Sequence, residues 1–178
     1  MTTARIRFRP VTEDDLDALD AMFADPESIG VHNWQGFTDP RRWRRLFEEN
    51  GLLGGDRWVL MVDTEAGENA GFVSWRPAHG GSIDTGWEIG ISLWPRLRGQ
   101  GYGTEAHRQL VRYLFTNTPA NRIQAMTDAE NHAEQRALEK AGFTREGVLR
   151  GYTFRAGAWR DEVLYSVLRS EWSSSRWP

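Results

Sequence analysis

The chain has 178 residues, a net charge of −3 and a pI near 5.8. It carries nine Trp and no Cys, which excludes disulfides, thiolate metal sites and a Cys nucleophile and fits a reducing, cytoplasmic setting. The acidic balance argues against nucleic acid as a partner and is compatible with a cationic substrate, and no apolar run reaches the length of a membrane span.

The opening residues, MTTARIRFRP, alternate charge and apolarity and lack the apolar core of a signal peptide. Ala4 to Arg9 predicts a strand, with Ile6 and Phe8 on one face. Thr12-Glu13-Asp14-Asp15 predicts a helix start with acids at the positive end of the dipole. Leu16, Leu19 and Phe23 stripe that helix to about Asp25, and Pro26 breaks it. Ser28 to Phe37 has no period. Thr38-Asp39-Pro40 reads as a cap with proline at the first helical position, and Trp43, Leu46 and Phe47 stripe a second helix to about Asn50. Arg41, Arg42, Arg44 and Arg45 interleave with that stripe, so a solvated helix face is a plainer reading of them than a nucleic-acid patch.

A loop over Gly51 to Gly55 leads to strands at Arg57 to Asp63 and Gly71 to Arg76, joined by a polar turn. A turn over Pro77 to Gly81 precedes a central strand from about Ile83 to Trp94, which Pro95 ends. A third helix follows, with Ala106, Leu110, Tyr113 and Leu114 at helical spacing, and Thr116 to Pro119 closes it. Arg122 to Thr127 is a strand. Asn131 opens a fourth helix striped by Ala133, Ala137, Leu138 and Ala141, and Gly142 stops it. Phe143 to Phe154 and Trp159 to Leu168 form a terminal hairpin around Ala156-Gly157. Residues 1–172 read as a single domain and 173–178 as a frayed tail. The order βααβββαβαββ is α+β, with helices covering a mostly antiparallel sheet.

The chemistry concentrates in Arg98-Gly99-Gln100-Gly101-Tyr102-Gly103-Thr104, between the central strand and the third helix. A glycine-rich turn that opens a helix offers free N–H groups and the positive dipole end to an anion, most often phosphate. The dinucleotide fingerprint fails because Thr104 stands where Gly or Ala is required. The nucleotide loop G-x-x-x-x-G-K-[ST] fails for want of a Lys. The four His at 32, 79, 107 and 132 have no metal-ligand spacing, so no metal is expected.

What remains, Arg98-x-x-Gly101-x-Gly103, resembles the pyrophosphate loop of the GCN5-related N-acetyltransferases (GNAT), and the element order resembles theirs over nearly the whole chain. The segment from Asn131 to Phe143 is similar to that superfamily's N-x-x-[SA]-x-x-[LY]-x-x-x-G-F at Asn131 and at Lys140-x-Gly142-Phe143. The C-terminal residues resemble the branch of ribosomal-protein N-terminal (RimJ/RimL-like) and spermidine acetyltransferases. The resemblance implies a three-layer α/β/α fold and acetyl-CoA as co-substrate. It implies acetyl transfer to a primary amine, on a small amine or a protein N-terminus, by direct attack in a ternary complex. It assigns cofactor binding to Leu93, Arg98, Gly99, Gln100, Gly101, Tyr102, Gly103, Thr104 and Asn131. Leu93 would contribute a backbone N–H to an oxyanion site where the central strand splays from its neighbour.

Two positions depart from the pattern. Leu138 replaces the Tyr that many members carry as general acid, and Glu134 replaces a Ser common in this branch. Tyr102 and Tyr152 are weak substitutes. For the base, Glu88 lies seven residues before Pro95, where the branch often places a carboxylate that takes the amine proton. The acceptor is expected beside His32, Trp34 and Phe37, and acids such as Glu88 and Asp84 would favour a cationic amine. An acyltransferase using another acyl-CoA, and a CoA-binding module without catalysis, are the alternatives. A homodimer is left open, to be read from exposed aromatics.

Overall fold

The computed structural model describes residues 5–78 and 86–172. His79, Ile83, Asp84 and the expected tail at 173–178 lie outside the described residues. The first strand β1 (Ile6–Pro10) leads through a 3-10 turn at Glu13–Asp15 into α1 (Leu16–Ala24). Asp25 then does more than end that helix. Its carboxylate accepts from the N–H groups of Glu27 and Ser28 and caps a four-residue helix, α2 (Pro26–Ile29), too short to show a period in sequence. Helix α3 (Arg42–Asn50) starts two residues later than the proline predicts, because Asp39 turns its side chain onto the Arg41 N–H.

The two-residue β2 (Leu53–Gly54) lies inside the expected loop. Strands β3 (Arg57–Thr64), β4 (Asn69–Pro77) and β5 (Gly86–Leu93) follow. Helix α4 spans Tyr102–Asn117, and β6 spans Arg122–Asp128. Helix α5 spans His132–Ala141, and the hairpin is β7 (Thr144–Arg155) and β8 (Ala158–Leu168). One sheet runs β1-β3-β4-β5-β6-β8-β7, with β2 also on β3, and its neighbours are antiparallel except β5 and β6.

Each face of the sheet is covered, which gives three layers. Leu16, Leu19 and Met22 of α1, Ile29 and Trp43 pack on Val59, Met61 and Phe72. Ala106, Leu110, Val111 and Leu114 of α4 pack with Leu138 and Ala141 of α5 on the opposite face, against Val62, Val73, Ile89, Ile123 and Tyr165. The terminal hairpin leaves Tyr152, Phe154 and Trp159 exposed.

The entry to α1 is held by charge. Arg9 donates to both carboxylate oxygens of Asp15, at 2.6 and 2.8 Å, and through Nε to Asp63 at 2.7 Å. The Arg9 hydrogen bonds outweigh burial and hold the Asp15 carboxyl down at about 2, against an ordinary 3.8. A depressed carboxyl stabilises the fold fully above pH about 4 and loses that contribution as pH falls through about 2. With the side chain only 8% exposed, the contribution is at most about 2 kcal/mol. Asp15→Asn is therefore expected to lower stability at pH 7 and to flatten the fall between pH 4 and 2, measured by urea unfolding at each pH.

Candidate active site

The site grows from a parting of strands. Strand β5 pairs with β4 over its whole length, from Gly71↔Leu93 to Pro77↔Trp87. With β6 it pairs only at Gly86–Glu88, opposite Arg122–Gln124. Beyond Glu88 the two parallel strands diverge. The Trp94 N–H donates to Ala70 O at 3.0 Å on the β4 side. Strand alternation then turns Ile91 and Leu93 toward the edge that β6 has left. Leu93 O lies on that edge, where it accepts from Arg98 Nε at 2.9 Å.

Helix α4 opens at the head of this gap. Gly101 is its cap, in the left-handed region with φ +90°, and makes no side-chain cap bond. The first intrahelical bond runs from the Glu105 N–H to Gly101 O, so the N–H groups of Gly101, Tyr102, Gly103 and Thr104 precede the ladder. Four donors ahead of the ladder at the positive end of a sixteen-residue helix have the geometry that favours an anion.

A cavity of about 440 Å3 joins these parts. It is lined by Gly99, Gly101, Gly103 and Thr104 of the loop, Ile91, Ser92 and Leu93 of β5, and Asn131 with one face of α5. Its roof is the segment Ile29 to Asn33. That segment crosses the gap as a strap tied at both ends. On the β5 side Arg98 donates to Glu27 O and Ser28 O, and on the other side Arg155 donates to His32 O at 2.8 Å. The lining thus comes from both layers, so the cavity passes through the sheet. Its volume and mixed lining suit a small-molecule site.

The sequence-predicted residues divide. Leu93, Arg98, Gly99, Gly101, Gly103, Thr104, Asn131 and His32 line the cavity. Gln100 is exposed and donates to Arg96 O at 2.7 Å, and the Tyr102 ring packs on the core, so neither side chain is part of the cavity lining. The Arg98 guanidinium is spent on three carbonyls and acts as a strut between loop and strap. Burial pushes its pKa down. Asn131 caps α5 through Oδ1, which accepts from the Glu134 N–H at 3.3 Å, and its Nδ2 makes no bond among the described residues. Phe37 is 87% exposed and stands outside the cavity, with Trp34 edge-on to it and packed on the α1 layer. Of the three acceptor residues, only His32 lines the cavity.

Leu138 is wholly buried in the core, so its position offers the cavity nothing. The Ala133 and Ala137 stripe was expected to bury, yet both line the cavity, together with Arg136 and Lys140. In the sequence Lys140 figures only as part of a motif and Arg136 has no assigned role; their spacing of four along one helix face is the signal that pairs them. Glu134 also lines the cavity, and its Oε1 lies 2.7 Å from Nε2 of the fully buried His107, which ties α5 to α4.

Glu88 sits at the crotch where β5 and β6 part, on the same face as Gly90 and Ser92. It accepts from Arg76 Nε at 3.0 Å and from Gln124 Nε2 at 3.4 Å. Arg57, next across the sheet, has its pKa pushed down by burial and then by Arg76 and Arg42, and only Glu88 opposes them. Glu88 is thus a carboxylate clamped by Arg76 and Gln124 at the edge of the gap, and it is not among the residues that line the cavity. The partner set came from cross-strand register, which the sequence pattern did not reveal.

Similarity to known proteins follows this geometry. The description "Acetyltransferase (GNAT) domain" matches residues 5–144. An uncharacterised N-acetyltransferase, p20 of Bacillus licheniformis, is 28% identical over 176 residues, covering 96% of this chain and 97% of that protein. The spermidine N-acetyltransferase of Vibrio cholerae, solved with CoA and spermine, superposes with a TM-score of 0.81 at 18% identity, over 93% of this chain and 96% of that one. RimL, a ribosomal L7/L12 alpha-N-protein acetyltransferase solved with CoA, gives 0.78 at 20% identity, over 96% and 97%. The two solved structures share the fold, the family match covers most of the chain, and the protein belongs to the GNAT superfamily as an acetyltransferase.

Proposed function

We propose that the protein transfers the acetyl group of acetyl-CoA to a primary amine by direct attack within a ternary complex. The observation that carries this reading is the through-sheet cavity headed by four uncapped amides. The amides of Gly101 to Thr104 hold the pyrophosphate, with Arg136 and Lys140 adding positive charge on the α5 side. Asn131 Nδ2 serves the pantetheine as it passes between β5 and β6. On the far side the backbone N–H of Leu93 faces the gap and polarises the thioester carbonyl. The acceptor approaches over Gly90 and Ser92.

Glu88 is the proposed base. The amine must lose a proton before or during attack, and a carboxylate at the strand crotch takes it directly or through water. Its clamp by Arg76 weakens a carboxylate as a base but fixes its aim. The neighbours' acceptors, spermidine for one and a ribosomal protein for the other, set the class of compound to try first. Glu88→Gln is expected to lower kcat about 10²-fold at pH 7, the usual share of one general base. The deficit should shrink above pH 9, where more of the amine is already neutral. Rates equal to the wild type from pH 6 to 9 would remove Glu88 from the mechanism.

A further inference from the structure

Two groups at the strap have no role in the scheme above. Asp128, at the end of β6, is 2% exposed at its side chain. It is held by Arg155 and by the Glu130 N–H, at 2.8 Å, on Oδ1. Burial works against its charge, but these partners outweigh it and keep the carboxyl below the ordinary range. The His32 ring lies above it, with Nδ1 3.7 Å from Asp128 Oδ1. That nitrogen is buried and has no hydrogen-bond partner among the described residues, the Asp128 carboxylate being a charge beside it at more than hydrogen-bond length. His32 lines the cavity together with Ile91, Ser92 and Leu93. With Nδ1 turned to the Asp128 carboxylate, Nε2 is the nitrogen left for a ligand.

Leu138, at the position where the resemblance implies a Tyr in many members, is buried in the core and offers no hydroxyl. We propose that His32, positioned by Asp128, is the proton donor to the thiolate that leaves when the acetyl group is transferred. This rests on the acetyl-transfer reading. The amine nitrogen forms its bond to the carbonyl carbon, the C–S bond breaks, and its electron pair goes to sulfur. The Nε2 proton of the imidazolium passes to that sulfur, giving the free thiol. The proton lost by the amine goes to Glu88 or water, and solvent recharges His32.

The charged groups beside the ring or on the same cavity come from four elements: Asp128 of β6, 3.7 Å from Nδ1; Arg155 of β7, which donates to the His32 carbonyl; Arg98 of the loop; and Glu134, Arg136 and Lys140 of α5. Imidazole changes charge between about pH 5 and 8, so donation fails as the ring deprotonates. The wild-type kcat should therefore carry an alkaline limb that belongs to His32.

The test is the pH profile of kcat and both KM values for wild type, His32→Gln and Asp128→Asn. Acetyl-CoA binding by titration calorimetry accompanies each. His32→Gln is expected to lower kcat about 10²-fold, the usual share of one general acid, and to abolish the alkaline limb. Both KM values and the CoA affinity should stay within about threefold. Asp128→Asn, if folded by circular dichroism, should move the limb to lower pH. A kcat within threefold of wild type, or a defect confined to the amine KM, overturns the assignment. Absence of CoA binding in the wild type would instead sink the acetyl-transfer reading, and this proposal with it.

Discussion

Gly103→Glu is expected to weaken acetyl-CoA binding by roughly two to four orders of magnitude without weakening the fold. Position 103 lies in the first turn of α4 and its φ is not positive, so a side chain meets no backbone strain there. A Cβ would find only Leu93 Cδ1, at 3.8 Å, an ordinary contact. Glutamate is a better helix former than glycine by about 0.5–1 kcal/mol, and its charge suits a helix N-terminus. The same charge occupies the anion site. Losing two hydrogen bonds to a diphosphate, at roughly 1.5–3 kcal/mol each, weakens binding roughly 10² to 10⁴-fold. Calorimetry with CoA and a thermal melt of the variant check both halves. A variant that binds CoA normally would place the cofactor elsewhere. Gly101 is a poorer choice for this test, because its φ of +90° strains any replacement and confounds folding with binding.

The second large effect is expected at Gly71, which sits against the floor of the cavity. Its φ is +140°, and a Cβ there would lie 2.0 Å from Ser92 O and 2.9 Å from Leu93 Cα. No side chain moves to relieve that contact, because backbone of β5 makes it. Gly71→Ala must push β4 away from β5 at the residues that line the cleft. Backbone strain of about 1–3 kcal/mol adds to the lost pairing, for a total of at least about 4 kcal/mol. With a urea slope near 2 kcal/mol/M, the midpoint falls by about 2 M. Gly67 is the control. Its φ is +81° but nothing lies within 4 Å, so Gly67→Ala should cost only the conformational strain. Equal costs at the two positions would show that the close approach to Ser92 does not matter.

These residues also mark how far the sequence carried. The anion loop was legible because its signal is local: glycines, a preceding strand and a following helical stripe sit within twenty-odd positions. A glycine-rich turn follows from short-range sterics, and the turn over Gly99 to Gly101 and the start of α4 at Tyr102 appear where expected. The strap was not legible. Arg155 reaches His32 across 123 positions, and Arg98 reaches Ser28 across 70, so no pattern in a window could join them. The same limit hid the clamp on Glu88, since Arg76 and Gln124 meet it only through strand register. Ala133 and Ala137 show a different limit. A small apolar residue looks the same whether its face meets a core or a cavity. Leu138 was readable as a missing hydroxyl, but its replacement on a separate loop needed the fold.

The most direct measurement is a mass-resolved assay of acetyl-CoA with a panel of primary amines, from polyamines to short peptides, with free thiol followed in parallel. Amine-dependent thiol release, with one N-acetylated amine per thiol and no acetyl group left on the protein, is the expected result. Acetylated protein that forms without amine and then decays when amine is added would contradict direct transfer.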